Sequence, residues 1–320
     1  MENRVDVTQL QQAVDNMKAE IGKVLVGQEQ MVELLLAAIL AEGHVLIEGV
    51  PGVAKTLAAK LVARCIDVPF SRIQFTPDLM PSDILGTSVF NPQKGDFSYK
   101  KGPIFSNIVL IDEINRSPAK TQAALFEVME EKQITGDGVT YQMPEPFMVL
   151  ATQNPVEQEG TYRLPEAQLD RFIFKIEVGY PSLDEELLIL QLADKGVIAH
   201  FNNTVQPVLN ATEVAHYRSI VSQLFIEEKV LKFIAELIHS TRNNKSLFLG
   251  ASPRASVAVL RSAKAIAAIN GRDFVTPDDV IKVLHPVLCH RIILTPEKEM
   301  EGITPRDVIN EIVKRVEVPR

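Results

Sequence analysis

Hydrophobic residues over the first 180 positions of the chain follow two different spacings. Apolar side chains recur at helical spacing over residues 8–25 and 28–42, which predicts two amphipathic helices. From His44 onward, short continuous apolar runs, typical of buried parallel strands, alternate with further helical segments. The runs that predict strands are residues 44–48, 71–75, 107–112, 147–152 and 172–178, and the intervening helices are predicted at 55–66 and 118–131. This alternation is typical of a parallel sheet flanked by helices, so we predict an α/β fold.

The pattern changes near residue 180, beyond which no buried strand is predicted. Helical spacing then dominates residues 184–195, 211–241, 252–270 and 276–289. We therefore predict an α/β domain over residues 1–180 and a small all-α domain over residues 181–320.

Two stretches of the first domain are longer than simple connections, and each predicts a β-hairpin. Residues 88–101 contain a turn at Asn91–Gly95 between two short strands. Residues 133–144 place an Asp-Gly turn between β-branched and aromatic residues, which is a strong hairpin signal. Both hairpins are expected to project from the sheet.

A glycine loop connects the first predicted strand to the next helix and reads GVPGVAKT at residues 49–56. In a strand–loop–helix frame, such a loop directs backbone N–H groups and a helix amino terminus at phosphate oxygens. Lys55 would then reach the β- and γ-phosphates of a nucleotide, and the Thr56 hydroxyl would bind Mg²⁺. Ala54 stands where this motif usually has glycine, and alanine is acceptable there if its φ is negative. The alternative is an ordinary Gly/Pro turn with an incidental Lys-Thr pair.

Acidic and polar residues follow two of the predicted strands. The strand that reads NIVLIDE ends in Asp112, a candidate ligand of Mg²⁺ through water, and Glu113, a candidate general base. Asn154 follows the next strand and could orient the attacking water. Carboxyl ends of parallel strands form ligand sites, so these side chains should face the glycine loop. A solvated acidic turn is the alternative, and the upstream loop disfavours it.

Two arginines are further candidates. Arg171 precedes the last strand and could stabilise transition-state charge in a neighbouring subunit, or it could form a local ion pair with Asp170. Arg254 opens a long helix of the second domain and could contact phosphates from that side. The alternative is a solvated arginine in a first helical turn, where positive charge is slightly unfavourable.

Composition narrows the function classes. The net charge of −8 and the lack of a basic, aromatic-rich segment disfavour a nucleic-acid motor. Lys94, Lys100 and Lys101 are therefore interpreted as parts of a solvated hairpin. Two distant cysteines suggest no disulfide framework, and the absence of a signal pattern or a membrane span predicts the cytoplasm. His285, Cys289 and His290 could suggest a metal site, but we interpret them as a helix end because no second ligand cluster appears.

Together these residues resemble the AAA+ ATPases, and specifically the MoxR family. The resemblance covers residues 8–316 and rests on the runs VLVGQE (24–29), EGVPGVAKT (48–56), FTPDLMPSDILGT (75–87), LIDEINRSPAKTQAALFEVMEE (110–131), ATQNPVEQEGTYRLPEAQLDRF (151–172) and GASPRA (250–255). Ala54 is typical of this family, whereas Arg163 stands where proline is expected. The resemblance implies a P-loop AAA+ core with a helix-2 insert and a hairpin before sensor 1, followed by an all-α lid domain.

The resemblance also implies residue roles. Asn154 matches sensor 1, Arg171 the arginine finger, and Arg254 sensor 2, whether within its own subunit or across to the next. The residues expected around ATP are Val26, Gly27, Gln28, Gly49, Val50, Pro51, Gly52, Val53, Ala54, Lys55, Thr56 and Leu57. The first three of these are expected near the adenine.

The implied assembly is a hexameric ring with ATP and Mg²⁺ between subunits. The implied function is to remodel or activate protein partners, in a chaperone-like role that includes metal insertion. The client would be a separate chain, often one with a von Willebrand A domain. A nucleotide-gated scaffold without turnover is a further alternative, which Glu113 and Arg171 disfavour.

Overall fold

A five-stranded parallel sheet forms the centre of the amino-terminal half of the protein. The computed structural model describes residues 4–50, 52–92, 95–154, 162 and 164–319. Pro51, Lys94 and Arg163 lie outside the described residues. The strands are β1 (His44–Gly49), β2 (Phe70–Gln74), β3 (Gly86–Asn91), β4 (Asp96–Lys101), β5 (Ile108–Asp112), β6 (Gln133–Gly136), β7 (Val139–Gln142), β8 (Met148–Gln153), β9 (Phe172–Val178), β10 (Leu247–Leu249) and β11 (Ile293–Leu294). The sheet order is β2-β5-β8-β1-β9, and all four pairings are parallel.

Helices surround this sheet and make up most of the carboxyl-terminal part. They are α1 (Thr8–Gly22), α2 (Glu29–Leu40), α3 (Lys55–Ile66), α4 (Pro81–Leu85), α5 (Ala119–Glu131), α6 (Glu166–Leu169), α7 (Leu183–Asp194), α8 (Phe201–Thr204), α9 (Ala211–Ser222), α10 (Glu228–Arg242), α11 (Pro253–Ile269), α12 (Pro277–Leu288), α13 (Pro296–Met300) and α14 (Pro305–Arg315). The predicted α/β fold with a following helical part is confirmed. The predicted division at residues 180 and 181 stays a prediction.

Alternate residues of the strands point into two hydrophobic layers, as the strand period of two requires. On one face Val45 and Leu110 pack with α1, α2, α3 and the helices of the carboxyl-terminal part. On the other face Leu46 and Ile111 pack with α5 and the region of the hairpins. Because α2 contacts both α9 and α11, the first layer runs without a break into the helical part.

Both predicted hairpins are present, and they pack against each other. The β3–β4 and β6–β7 pairs are antiparallel, and the rings of Tyr99 and Tyr141 stack between them at 4.8 Å. At the outer end of the first hairpin, Phe90 and Phe97 are 50% and 70% exposed. The hairpins therefore form one projecting unit with an apolar tip.

Three details differ from the predicted elements. The helix predicted over residues 211–241 is two helices, because the backbone of Phe225 instead bonds Asp273 and Val275. Pro118 is the cap residue before α5 rather than part of its first turn. A short antiparallel ribbon, β10–β11, adds to the helical part. Among the described residues, no helix has both the length and the apolar character that crossing a membrane requires.

Candidate functional site

The glycine loop lies between the end of β1 and the start of α3, as the sequence predicts. Ala54, the last residue before the helix, has φ 59° and ψ 19° and is therefore left-handed. The negative φ that would make alanine acceptable is absent, and this conformation costs an L-residue about 1–2 kcal/mol. The loop therefore stores backbone strain at the position where the usual motif has glycine.

The lysine of the loop is held beside the predicted carboxylates. Lys55 Nζ donates a hydrogen bond to the carbonyl oxygen of Gly49 at 2.6 Å. Burial lowers the pKa of Lys55, and the nearby charges of Asp112, Glu113 and Glu48 oppose that shift. The Lys55 ammonium group therefore lies close enough to Asp112 and Glu113 to interact with their charges, so the structure brings these three predicted residues together. Of the remaining loop residues, Thr56 and Leu57 are half-buried.

Asp112 is a buried carboxylate at the end of β5 that accepts hydrogen bonds from Thr152 and Arg72. The Thr152 hydroxyl donates to its Oδ1 at 3.0 Å, and Arg72 Nε donates to its Oδ2 at 2.6 Å. Thr152 also accepts a hydrogen bond from the backbone N–H of Glu113 at 3.0 Å. Asn154 is buried directly after β8, the strand between β5 and β1. The sheet order therefore places Asn154 between the acidic strand end and the glycine loop.

Glu113 follows Asp112 in a left-handed conformation, with φ 57°. Its Oε2 accepts a hydrogen bond from Gln74 Nε2 at 2.8 Å and faces Arg116 Nε at 3.1 Å. The carboxylate proposed as the general base is therefore held from the side of β2. The sequence analysis missed Arg72, Gln74, Arg116 and Thr152. Thr152, two residues before Asn154, and Arg116, three residues after Glu113, are close enough in the chain for spacing to have revealed them.

A cleft of about 350 Å³ opens beside the end of β1. Its walls include Gly27 and Gln28 together with Gly179 and Tyr180, which follow β9, the strand paired with β1. Gly27 has φ +73°, and a Cβ added there would lie 2.5 Å from the carboxyl carbon of Glu185. Two of the three residues predicted to lie near the adenine thus line a cleft next to the glycine loop, and Val26 precedes them.

The two candidate arginines lie near the amino-terminal ends of the sheet strands, opposite the carboxyl-terminal ends that carry the glycine loop. We call this side of the sheet the arginine edge. Arg171 precedes Phe172, which pairs with His44 at the start of β1. Arg171 Nη1 donates to Glu130 Oε2 at 3.1 Å, and Arg254 Nη2 donates to the other oxygen of Glu130 at 3.2 Å. The length of β1, roughly 17 Å at about 3.3 Å per residue, separates this edge from the glycine loop. In this structure both arginines therefore lie at the opposite ends of the strands from the phosphate loop of their own chain.

The local ion pair considered for Arg171 is not formed with Asp170. Asp170 instead pairs with Arg291, which the sequence analysis missed, at 2.6 Å between Oδ1 and Nε. Arg291 is 3% exposed by its side chain and lies after α12, so it joins the helical part to the residue before Arg171. The edge that carries Arg171 and Arg254 is therefore built by both parts of the chain around a recess of about 510 Å³.

A second group of potential ligands lies on the far wall of the cleft. Ligand atoms of Glu177, His285 and Cys289 lie within 4.8 Å of one another, whereas His290 bonds the backbone carbonyl at the start of β9. Burial raises the pKa of the Cys289 thiol to about 12, and Arg306 Nε donates to His285 Nε2 at 3.4 Å. A cation would have to displace Arg306 and deprotonate a buried thiol, so we assign no metal here.

Comparisons with known proteins agree with this geometry. The model of the ATPase family associated with various cellular activities (AAA) matches residues 44–174, and the AAA lid domain model matches residues 239–312. The uncharacterized protein YeaC of Bacillus subtilis is 47% identical over 93% of this chain and 92% of its own. The chaperone MoxR1 of Mycobacterium tuberculosis is 44% identical over 94% of this chain and 81% of its own. The crystal structure of a putative ATPase from Cytophaga hutchinsonii superposes with a TM-score of 0.91 at 45% identity, covering 98% of this chain and 97% of that one.

Proposed function

This chain belongs to the MoxR family of AAA+ ATPases, and we propose that it hydrolyses ATP at sites shared between neighbouring copies. One observation carries the proposal. Lys55, Asp112 and Glu113 lie at one edge of the sheet, whereas Arg171 and Arg254 lie at the opposite edge. A complete site of the AAA+ kind therefore needs the arginine edge of one copy placed on the cleft of the next.

Phosphate binding is assigned to the glycine loop and the amino terminus of α3. The backbone N–H groups of the loop would surround the phosphates, and Lys55 would leave the Gly49 carbonyl to bind them. Adenine would occupy the cleft beside Gly27 and Gln28. These groups suit the nucleotide because the cleft adjoins the loop and because Lys55 forms no ion pair with a carboxylate within the described part of the chain.

Magnesium is assigned to the Thr56 hydroxyl and, through water, to Asp112. Oxygen ligands are what Mg²⁺ prefers, and Asp112 already faces a cationic group, the Arg72 guanidinium, so the position suits positive charge. The ion, when bound, neutralises the charge of the β- and γ-phosphate oxygens.

Glu113 would take the proton of the attacking water, and Asn154 would orient that water. Gln74 and Arg116 both contact Oε2 of Glu113 in this structure, and these contacts would restrain the carboxylate in this role. Arg171 and Arg254 of the next copy would stabilise the charge that develops on the γ-phosphate. A head-to-tail contact of this kind closes into a ring where its rotation permits, and we propose a homo-hexamer.

Turnover would serve to remodel or activate a protein partner. The name of the chaperone MoxR1 supports a chaperone-like role, which extends to cofactor or complex maturation by metal insertion. The joined hairpins, with Phe90 and Phe97 exposed, offer an apolar tip for a protein client such as a separate von Willebrand A protein. Lys101 stacks over Phe105 at 4.9 Å, which does not favour a nucleic-acid surface. The proposed location is the cytoplasm.

The test of turnover is the ATPase activity of Glu113→Gln. Loss of a general base costs about 10²–10⁴-fold, so we expect at least a hundredfold loss of activity with ATP binding retained. Tight ATP binding by the wild-type protein without hydrolysis would instead support the nucleotide-gated scaffold. Unchanged activity of Glu113→Gln would show that the base is assigned to the wrong residue.

The sharing of sites is tested by mixing Arg171→Ala with Lys55→Ala subunits. Each variant alone should be inactive, because every interface then lacks one of the two groups. In a mixture, some interfaces pair an intact Lys55 with an intact Arg171, and activity should return. If mixed assemblies form but remain inactive at every ratio, the arginine does not act across the interface.

A further inference from the structure

Helix α7 carries an apolar stripe that none of the described residues covers. Leu183, Leu187 and Leu190 recur at i, i+4 and i+7, so they share one face of the helix. Their exposed fractions are 83%, 54% and 62%, and no residue of α7 is buried. Contiguous apolar surface of this kind marks an interaction site on a soluble protein. We call these three residues the leucine stripe.

The leucine stripe borders the proposed nucleotide cleft. Helix α7 begins at Leu183, three residues after Tyr180, which lines the cleft with Gly179 and is itself 77% exposed. In the first turn of α7, the Glu185 carboxyl group lies against Gly27 on the opposite wall. A neighbour that covers the cleft must therefore also approach α7.

The arginine edge of the chain has apolar surface of its own. Arg254, Val257 and Arg261 recur at i, i+3 and i+7, so they share one face of α11, and all three line the recess of about 510 Å³. Val257 is 54% exposed. Because Val257 is one turn from Arg254 on a rigid helix, a copy that delivers Arg254 to a neighbour also delivers Val257.

The two surfaces complement each other in charge as well as in apolar character. Asp184, Glu186 and Asp194 of α7 are exposed beside the leucine stripe. Arg254 and Arg261 flank Val257 on the α11 face, with exposed side-chain fractions of 60% and 46%. They pair with Glu130 and Glu42 of their own chain, but the recess as a whole is lined by five basic and three acidic side chains. Opposite charge around an apolar centre steers and orients two partners.

We propose that the leucine stripe of one copy docks on the α11 face of the next copy, packing against Val257. This contact rests on the proposed shared site, because it uses the same two edges of the chain. The leucine stripe and the α11 face would hold the neighbouring copy in place, whereas Arg171 and Arg254 would act on the nucleotide. Repetition of this head-to-tail contact propagates the assembly.

Cysteine cross-linking tests the contact directly. The native Cys65 and Cys289 are both buried, so introduced surface cysteines can be oxidised selectively. Leu183→Cys, Leu187→Cys and Leu190→Cys are each combined with Val257→Cys, and mild oxidation should give at least one reducible ladder of oligomers. The matched control is Leu231→Cys with Val257→Cys, since Leu231 is 40% exposed on α10, away from the stripe, and should give no ladder. Absence of a ladder for all three stripe pairs overturns the proposal.

A charged substitution provides the second test. Leu187→Glu should shift the protein to the monomer in light scattering with ATP present and lower ATPase activity at least tenfold, whereas Leu231→Glu should change neither. Equal thermal midpoints of the two variants would show that the fold is intact. If Leu187→Glu assembles and turns over ATP like the wild type, the docking contact is wrong and the stripe is free for a client protein. If the ladder forms but wild-type protein has no turnover, the proposed ATPase function fails and the contact stands.

Discussion

Replacing Arg291 by methionine should strongly destabilise the protein, because this arginine joins the helical part to the sheet through buried contacts. Its Nε donates to the Asp170 carboxylate at 2.6 Å, and its Nη2 donates to the carbonyl oxygens of Phe172 at 2.7 Å and Asp170 at 2.9 Å. Its Nη1 donates to the carbonyl oxygen of Ile173 at 3.2 Å. Methionine fills a similar volume but donates to none of these oxygens, so a carboxylate and several carbonyls lose their partner.

The magnitude follows from the charge left behind. Removal of one partner of a buried ion pair costs about 3–5 kcal/mol, a large part of the roughly 5–15 kcal/mol that stabilises a domain. Urea unfolding followed by circular dichroism should show this loss for Arg291→Met. Arg254→Met is the control, because Arg254 is 60% exposed and its ion pair with Glu130 is worth at most about 1 kcal/mol.

A second substitution checks the physical reason. Asp170→Asn combined with Arg291→Met removes the orphaned charge, so the double variant should recover part of the stability lost in Arg291→Met. A loss below about 1 kcal/mol in Arg291→Met would contradict the argument. A double variant less stable than Arg291→Met would also contradict it.

Three further predictions concern the site and its supports. Gln74→Ala should raise basal ATPase activity by up to about fivefold, because it removes the hydrogen bond from Gln74 to Glu113, which is worth about 1 kcal/mol. An unchanged or lower rate would count against a restraining role for Gln74. Ala54→Gly should raise the free energy of unfolding by about 0.5–1 kcal/mol, because relief of left-handed strain exceeds the added chain entropy, and a lower urea midpoint would refute this. Burial lowers the pKa of His44 from 6.5 to about 4, so between these pH values the unfolded state binds a proton that the folded state does not. The free energy of unfolding therefore falls as the pH drops from 6.5 to about 4, by up to about 3 kcal/mol. His44→Gln should remove this part of the pH dependence, and an unchanged pH profile in that variant would exclude His44 as its source.

The parts of the fold that the sequence predicts are those with local causes. Strand runs such as Phe172–Val178 and the helix Lys55–Ile66 match the structure residue for residue, because apolar period and loop chemistry decide them over short distances. The glycine loop and the acidic strand end were also predictable, since each motif is contiguous in the chain. Their roles in catalysis remain predictions.

Most contacts that the sequence analysis missed join residues far apart in the chain. Arg291 meets Asp170 across 121 positions, and Gln74 meets Glu113 across 39, so spacing carries no signal for either pair. The positive φ of Ala54 depends on how the loop joins α3. Favourable packing around the loop can hold this conformation although alanine disfavours it. Arg254 has an obvious sequence motif, but only the packing of the helical part decides which edge of the sheet it occupies.

Because the arginine edge and the phosphate loop lie at opposite ends of the strands, the number of complete sites depends on how the copies assemble. If sites are shared as proposed, each copy contributes half of a site at either end, so an open row of copies holds one complete site fewer than it has subunits. Closing the row supplies the missing site without adding protein. ATP turnover per chain should then rise with protein concentration and level off once rings close. Dilution alone would therefore abolish ATPase activity, without any bound inhibitor.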